Sequence, residues 1–522
     1  MATIKKKVNL KNNISQVTLL MLNLIIYAKR HRVYFSSHIF RMGRLCTNQH
    51  VRNNCFSPFI YCLIVLILFV SGCQQYQSMP LNNASVENAM VVPSEQILCV
   101  KAQSLSHPII PPVKLDFTDG LSPDEAAILG VLINPTLKAV RDKREIVAGE
   151  LLQAGLLPNP QLSLVSDRVT GGNTGNTVSA YSRGLSWDVM ELISHSVQVS
   201  AAEKNRDSVY LDVAWQEWQI AEAAKTAVYD LSSFRSQLDL AMDSDRRLKE
   251  NLNVLQKALR SELVTELDVS AAQTASHKAH ATVLELQKQV SEQMLTLNQI
   301  IGFNADANTI LQHDIELPSS IEIPSTDKLL NGLEKRRLDL VALHLGYESQ
   351  QDNLRAAVLN QFPRINIGLT NARDTSNVIT TGFDLSIDLP VFNRNQGQIM
   401  IARATRQQLF DEYINRIFET RTNIAKLTAN VPLIIKQIET TQAAVVSGKK
   451  LVEIYRIAIE KGQADVLSYY TAWNDLNDRQ IEIVKLKQQL VDTRIALELV
   501  TGLYSLNELK VPDSNSIKKV TK

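Results

Sequence analysis

Apolar and polar positions recur along this chain with two different periods, and the switches between them lay out its elements. From Leu185 to Ile301 there is neither glycine nor proline, and Leu, Val, Ile and Ala supply the seams of a long helical pattern. Both missing residues break helices, so the run predicts prolonged helix. The part from 195 to 260, taken as one helix, is on the order of 100 Å long at about 1.5 Å per residue. Gly184 and Gly302 bracket the run. A second run with the same layout extends from Gln398 to Thr501 and closes at Gly502. Pro432 lies inside its first long helix and is expected to kink it, with Gly448 one stretch further on.

A period of two appears in short stretches just before each long run. Gln161–Ser166 (QLSLVS) alternates polar and apolar, Ser179–Val189 (SAYSRGLSWDV) does so more loosely, and Gly171-Gly172-Asn173 lies between them. This pattern predicts a β-hairpin. Helical periodicity begins earlier, at Leu121-Ser-Pro-Asp-Glu, where Ser122 is an N-cap, Pro123 sits at N1 and Glu125 at N3. Asn134-Pro135 breaks that pattern, and a second helix runs to Gly155.

The chain is built twice. An offset of 200 aligns Leu185 with Leu385, Asp188 with Asp388, Ala258 with Ala458, Leu267 with Leu467, Leu286 with Leu486 and Gly302 with Gly502. Before the hairpin the offset is 203, pairing Ala154 with Ala357 and Pro160 with Pro363. Each half reads as short helix, helix, hairpin, very long helix, long helix. In the second half these fall at 326–337, 338–361, strands 364–371 and 379–390, and helices 396–461 and 465–502. The chain divides into a basic leader and signal (1–72), a linker (73–117), a first repeat (118–305), a connector (306–325), a second repeat (326–505) and a tail (506–522). Four strands cannot close a barrel around a lumen, and open edges are not tolerated in lipid. If the strands cross a membrane, closure has to come from several copies, and three would supply twelve strands.

The N-terminal region changes the picture. Phe59–Val70 is a 12-residue apolar run after a basic flank, followed by Ser71-Gly72-Cys73. That is the layout of a signal peptide and is short for a membrane span. Val-Ser-Gly-Cys resembles a bacterial lipobox, which implies lipidation of Cys73 and removal of residues 1–72. Met42 would serve as a more ordinary start. Gln74 after the cysteine, in place of aspartate, implies sorting to the outer membrane. Residues 74–117, with Pro108, Pro111 and Pro112, read as an extended linker. All five cysteines lie at or before Cys99, so neither disulfide nor cysteine-held metal operates in the helical halves. A net charge of +2 and 6% aromatic residues give no sign of a nucleic-acid-binding chain.

In this order, lipobox, linker and duplicated helix–hairpin–long-helix pair, residues 115–505 resemble the TolC-type outer-membrane efflux factors. Asn134-Pro-Thr-Leu137, Gln153–Pro160, Arg337-Leu-Asp-Leu340 and Phe362-Pro363 carry the resemblance. Asp388-Leu-Pro-Val-Phe-Asn-Arg-Asn-Gln-Gly-Gln-Ile399 is similar to the strand-to-helix elbow of the family's heavy-metal branch. There Pro390 is expected to end the strand, and Asn393 to Gly397 to make the turn. The resemblance implies a mainly α fold with a small transmembrane β part, and a homotrimer whose twelve-stranded barrel continues into a periplasmic α-helical barrel. It also implies a lipid-anchored protein of the bacterial outer membrane, a periplasmic adaptor and an inner-membrane RND-type pump. The function implied is a passive exit duct for metal cations or small toxic compounds, with no enzymatic step and no cofactor. A drug or protein secretion duct of the same family is the alternative cargo reading. A periplasmic coiled-coil adaptor or scaffold is the rival of another class, but such adaptors have one helical hairpin where this chain has two.

The family's periplasmic end lies where each long helix turns into its partner. Here those turns are Ala258–Val269 and Ala458–Tyr469, which makes Glu262, Leu263, Leu267, Gly462 and Leu467 candidate adaptor-contact residues. Asp268 matches the position of a tunnel-gate carboxylate, and as the start of a helix it also suits capping. In the second half the acidic positions fall on Ser468 and Thr471, with Asp465 a turn earlier. His277 and His280 are three apart on one helix and read as solvated or seam residues, and Trp215 and Trp218 read as packing. No P-loop, GxGxxG, GxSxG or HExxH pattern is present, and no metal site is assigned.

Overall fold

The computed structural model describes residues 76–172, 175–313 and 315–506. The leader, Cys73 and the tail beyond 506 lie outside the described residues. The chain divides into two units, Met1–Ala89 and Met90–Lys522. In the first, α1 (Asn83–Met90) begins, and it has no buried residue. The second unit holds everything that follows.

The region expected to be an extended linker contains, besides α1, a second helix, α2 (Glu95–Gln103). Leu98 and Ala102, four apart, give it one apolar stripe, and both are buried in the core shared with α3. That stripe is too short to stand out beside the neighbouring prolines. Next come α3 (Pro123–Ile133) and α4 (Pro135–Gly155). Ser122 and Glu125 form a reciprocal capping box at the start of α3, as their spacing predicts. Asn134 carries the break between the two helices. Its Oδ1 accepts the Thr136 and Leu137 N–H groups at 2.8 and 3.2 Å, and its amide donates to the Ile300 carbonyl at 2.8 Å.

Strands β1 (Gln161–Asp167) and β2 (Ala180–Asp188) lead into α5 (Met190–Arg260), which turns into α6 (Glu266–Ile301). At 71 residues, α5 is about 105 Å long. The second repeat opens with α7 (Thr326–Leu330) and α8 (Leu333–Arg336), split by Gly332 at φ 74° where one helix was expected. It continues with α9 (Leu338–Leu359), β3 (Ile365–Arg373), β4 (Ile379–Ile387), α10 (Gln396–Glu460) and α11 (Val466–Thr501). The expected kink at Pro432 does not interrupt α10, which stays assigned as one helix of 65 residues. The turns on both sides keep their own hydrogen bonds, and the burial of Val431 and Ile434 beside the proline holds the helix together against the lost donor.

The strands form one antiparallel sheet in the order β1-β2-β3-β4, so the two hairpins join through β2 and β3. Among the helices, α5 packs against α3, α4, α6, α9 and α11, whereas α10 packs against α7, α9 and α11. Gly302 and Gly502 end α6 and α11 in left-handed conformation, at φ 77° and 68°. In each case the following N–H reaches back five residues, Phe303 to Asn298 at 2.8 Å and Leu503 to Glu498 at 3.0 Å. Arg336 and Arg337 close the second repeat. Arg336 donates to the Thr501 and Leu329 carbonyls, both at 2.7 Å. Arg337 forms a buried fork with Asp339 and lies 4.8 Å from the Trp215 ring centroid.

The repeats are related by exchange as well as by copying. Leu248 and Ser276 are buried on α5 and α6, and their counterparts at offset 200 are Gly448 and Leu476. A Cβ on Gly448 would lie 3.3 Å from Leu476 Cδ1, so bulk has moved from one helix to the other. Gly448→Leu alone should overpack this crossing and cost about 1–3 kcal/mol. Adding Leu476→Ser, which copies the first repeat, should restore most of the loss, read as the thermal midpoint of detergent-solubilised protein.

Candidate functional site

Two surfaces carry the sequence-predicted functional residues: the sheet with its elbow at one end, and the turns between long helices at the other. The cross-strand register sorts the sheet's side chains onto two unlike faces. Leu162, Leu185, Leu369 and Phe383 form one row, with Trp187, Ile367 and Leu385 in the next and Ile365 with Ile387 beyond. The opposite face carries rows of Gln161, Ser186, Gly368 and Asp384, and of Ser163, Gly184, Thr370 and Gly382. At Gly184 a Cβ would come within 2.5 Å of Ser163 Oγ, so a side chain there would require that hydroxyl to turn away. The apolar rows are open to the surroundings, Leu162 being 67% and Phe383 68% exposed.

Polar anchors bound the apolar face at both ends. Trp187 Nε1 donates to the Pro158 carbonyl at 2.7 Å. Tyr181 lies between the guanidinium groups of Arg183 and Arg373, at 4.8 and 5.1 Å from its ring centroid. β2, β3 and β4 each have nine residues, a length that suits a tilted membrane strand. Among the described residues β1 and β4 are paired on one side only, and no helix is long and apolar enough to cross a membrane.

The elbow differs between repeats. In the first, Asp188 Oδ1 accepts the Met190 N–H at 2.9 Å and β2 runs almost directly into α5. In the second, residues 388–395 intervene. β4 ends at Ile387, so Pro390 lies in the elbow and does not itself end the strand. Asn393 Oδ1 accepts the Asn395 N–H at 3.0 Å, Asn395 takes the left-handed conformation, and its amide donates to the Ala357 carbonyl at 2.8 Å. Asn395 is therefore the hinge residue, and Gly397 falls within the first turn of α10. Leu389, Val391 and Phe392 stand exposed along the elbow.

The turns at the far end are near copies. Leu263 N–H bonds to the Ala258 carbonyl at 3.0 Å, and Gln463 N–H to that of Ala458 at 2.8 Å. The left-handed residue is Glu262 in the first turn, at φ 56°, and Gly462 in the second, at φ 69°. Glutamate in that conformation carries strain that glycine avoids. Asp268 is committed to a cap: it accepts the Thr265 N–H at 3.0 Å and the Thr265 hydroxyl at 2.7 Å. In the second turn the two residue types trade places. Asp465 is the N-cap and accepts the Ser468 N–H and hydroxyl, both at 2.7 Å, and the Ser468 hydroxyl and N–H hold its carboxyl below the usual range. Leu263, Leu267 and Leu467 project at the turns, with Leu263 77% exposed. An aromatic group that the sequence did not single out secures the second turn. Tyr470 is buried between the long helices, and Trp473 Nε1 donates to Ser244 Oγ at 3.1 Å.

The histidine pair plays a lateral part. His280 Nδ1 lies 3.5 Å from Asp245, and His277 approaches Gln273. Trp218 is fully buried, in keeping with packing.

Residues 329–503 match the family model described as outer membrane efflux protein. The chain is 22% identical over 386 residues to the cobalt-zinc-cadmium resistance protein CzcC of Cupriavidus metallidurans, covering 72% of this chain and 89% of that protein. It is 19% identical over 388 residues to the toxin and drug export protein A of Aggregatibacter actinomycetemcomitans, covering 70% of this chain and 82% of that one. Its fold matches the CusC channel with a TM-score of 0.63 at 17% identity, over 76% of this chain and 98% of that structure. It also matches the outer membrane protein VceC of Vibrio cholerae, with a TM-score of 0.62 at 18% identity over 73% and 96%. The family model falls on the second repeat, and the fold of the chain is that of these solved outer-membrane channels.

Two changes test the turn geometry. Glu262→Gly should relieve the left-handed strain and slow amide exchange across 258–266, the gain being about 1 kcal/mol or less because glycine also loosens the unfolded chain. Thr265→Ala should fray the first turn of α6 at a cost of about 1 kcal/mol, seen as faster exchange of the Asp268 amide.

Proposed function

We propose that three copies of this chain close into an outer-membrane exit duct, whose barrel is made of twelve strands and whose periplasmic wall is made of the long helices. The observation that carries this reading is the unmatched half of the repeat. α5 is covered by α9 and α11 of the other repeat, while the corresponding surface of α10 has no such cover among the described residues. Trp218 is 0% exposed and its counterpart Phe418 is 69% exposed; Ser233 and Leu433 differ likewise, at 0% and 61%. A neighbouring copy offering α4 and α6 to α10 would repeat the packing already made inside one chain. It would also bring its β1 beside β4, so that no edge remains in lipid. The apolar face of the sheet then meets lipid, and the small polar face lines the lumen.

The remaining assignments follow from this arrangement. Cys73 supplies the lipid anchor. Glu262, Leu263, Leu267, Gly462 and Leu467 receive a periplasmic adaptor, which links the duct to an inner-membrane RND-type pump; exposed leucines at the tips of long helices suit such a contact. Asp268 rings the tunnel mouth in three copies while capping its helix. Its conductance role separates from its cap role because Thr265→Ala keeps the charge and removes the cap. Metal cations are the preferred cargo, supported by the relative named for cobalt, zinc and cadmium resistance. The relative named for toxin and drug export supports the second cargo reading.

Applying the β2–β3 register to the next interface pairs Ser386 of β4 with Val165 of a neighbour's β1. Ser386→Cys with Val165→Cys should therefore give a ladder ending at trimer on oxidation, reversed by reductant. Crosslinks that stop at dimer, or none in membranes, would overturn the ring. A deletion strain assayed on cobalt, zinc and cadmium salts and on a drug panel decides the cargo. Sensitivity to the metals alone, restored by the wild-type chain, is the expected result.

A further inference from the structure

The long helices of the two repeats meet where α11 lies along α5, and this seam holds two acidic sites. At the first, Glu222 of α5 and Glu498 of α11 are both buried, at 1% and 7% exposed. Lys225, also buried, approaches Glu222 Oε1 at 3.2 Å and Asp124 of α3 at 3.5 Å. Its ammonium lies 3.9 Å from the Tyr504 ring centroid, and the Tyr504 hydroxyl donates to Asp124 at 2.7 Å. Arg494 stands 4.0 Å from Glu498. Apart from this Lys225 contact neither Glu222 oxygen has a hydrogen-bond donor, and the Trp218 Nε1 has no acceptor. At the second site, on the antiparallel course of the same helices, Asp230 of α5 accepts from Gln488 of α11 and, at 3.3 Å, from Gln293 of α6. Asp492 of α11 lies within reach of the Asp230 charge, and its buried Oδ1 has no partner.

The charge balance of the seam is unfavourable if every group ionises. Lys225 and the more distant Arg494 face Glu222, Glu498 and Asp124 at the first site, and only neutral amides face Asp230 at the second. A buried carboxylate without sufficient donors or countercharge takes a proton instead. Burial pushes Glu222 up to about 8 and raises Glu498 as well. Burial and the neighbouring Asp230 push Asp492 up to about 7, and burial also raises Asp230. The counterparts of Glu222, Asp230, Asp492 and Glu498 in the other repeat are Thr422, Asn430, Glu292 and Asn298, so the two-site acidic arrangement belongs to this seam alone of the two related ones.

We propose that the α5–α11 seam is a proton-dependent latch between the two repeats, closed when each acidic site holds a proton and loosened when both sites ionise. The sign follows from linkage. A carboxyl raised on folding contributes stability that is complete below the unfolded value and is lost as pH rises through the folded one. The latch therefore weakens steadily as pH rises from the ordinary carboxyl values towards about 7 and 8, and the loss is complete above the raised values. It is a property of the single chain and stands apart from the duct reading.

The test is hydrogen exchange by mass spectrometry on the full chain in detergent, at pH 6 and pH 9, corrected for the intrinsic exchange rate. Peptides covering 218–234 and 486–500 should open at least about tenfold more at pH 9, the change that one unit of titration represents, while 396–412 on α10 should not follow. Glu222→Gln with Asp492→Asn keeps the shapes without the charges and should hold the pH 6 protection at pH 9. Equal opening of the wild-type seam at both pH values, or a double variant that keeps the full pH response, overturns the latch. If the double variant does not fold, infrared spectra of the wild type decide. A protonated-carboxyl stretch present at pH 6 and lost by pH 9 supports the latch, and its absence at pH 6 overturns it.

Discussion

Duplication is the constraint on which the rest of this structure depends. Each surface that joins one repeat to the other is encoded twice, yet one chain can satisfy only one of the two copies. Among the described residues, joining β2 to β3 leaves β1 and β4 as edges, and laying α11 on α5 leaves the matching face of α10 bare. The exposed Ile414, Phe418 and Leu433 on α10 are the apolar residue of this arithmetic. Exposed apolar side chains spaced along a helix of 65 residues mark an interaction surface, which is the ground for the ring proposed above.

Much of this architecture could be read from residue spacing. The glycine- and proline-free run, the constant offset of 200 and the alternation in QLSLVS give the long helices, the repeat and the hairpins, because each rests on a period sustained over many residues. Features set by a few contacts could not be read that way. α2 depends on two residues, Leu98 and Ala102, that bury only when α3 is present. Pro432 signals a break to any local reading, and the packing of Val431 and Ile434 overrides it. Asn395, not Gly397, takes the left-handed turn of the elbow, since Asn393 and Ala357 hold it there through side-chain bonds.

The turns were visible in sequence as positions and only partly as chemistry. Asp268 and its cap partner Thr265 have the spacing of a capping box, whereas the second turn reads as a lost acid until Asp465 is seen to fill the cap from the other side. The acidic seam was harder. Glu222, Asp230, Asp492 and Glu498 look like ordinary helical surface charges along the chain, and their burial arises from antiparallel contact between helices some 260 residues apart. Charge alone does not reveal burial. A missed signal did exist in Trp218, Lys225 and Tyr504, whose rings and ammonium meet across the two repeats.

The exchanges between Leu248 with Ser276 and Gly448 with Leu476, and between the two caps, have a consequence for how the molecule could have evolved. Each pair works only with its own partner, so a residue can no longer be carried from one half to the other without carrying its mate. Two ancestral halves that once were interchangeable have become complementary, in the way that a homodimer drifts into an obligate heterodimer. Six identical units around an axis would carry one set of seams; three copies of this chain, in the ring proposed above, would carry two, alternating. Any property placed on one set, such as the proposed proton-binding site, would then be present at every second seam only. Fusion would in this way give a ring of like parts a means to differ from itself.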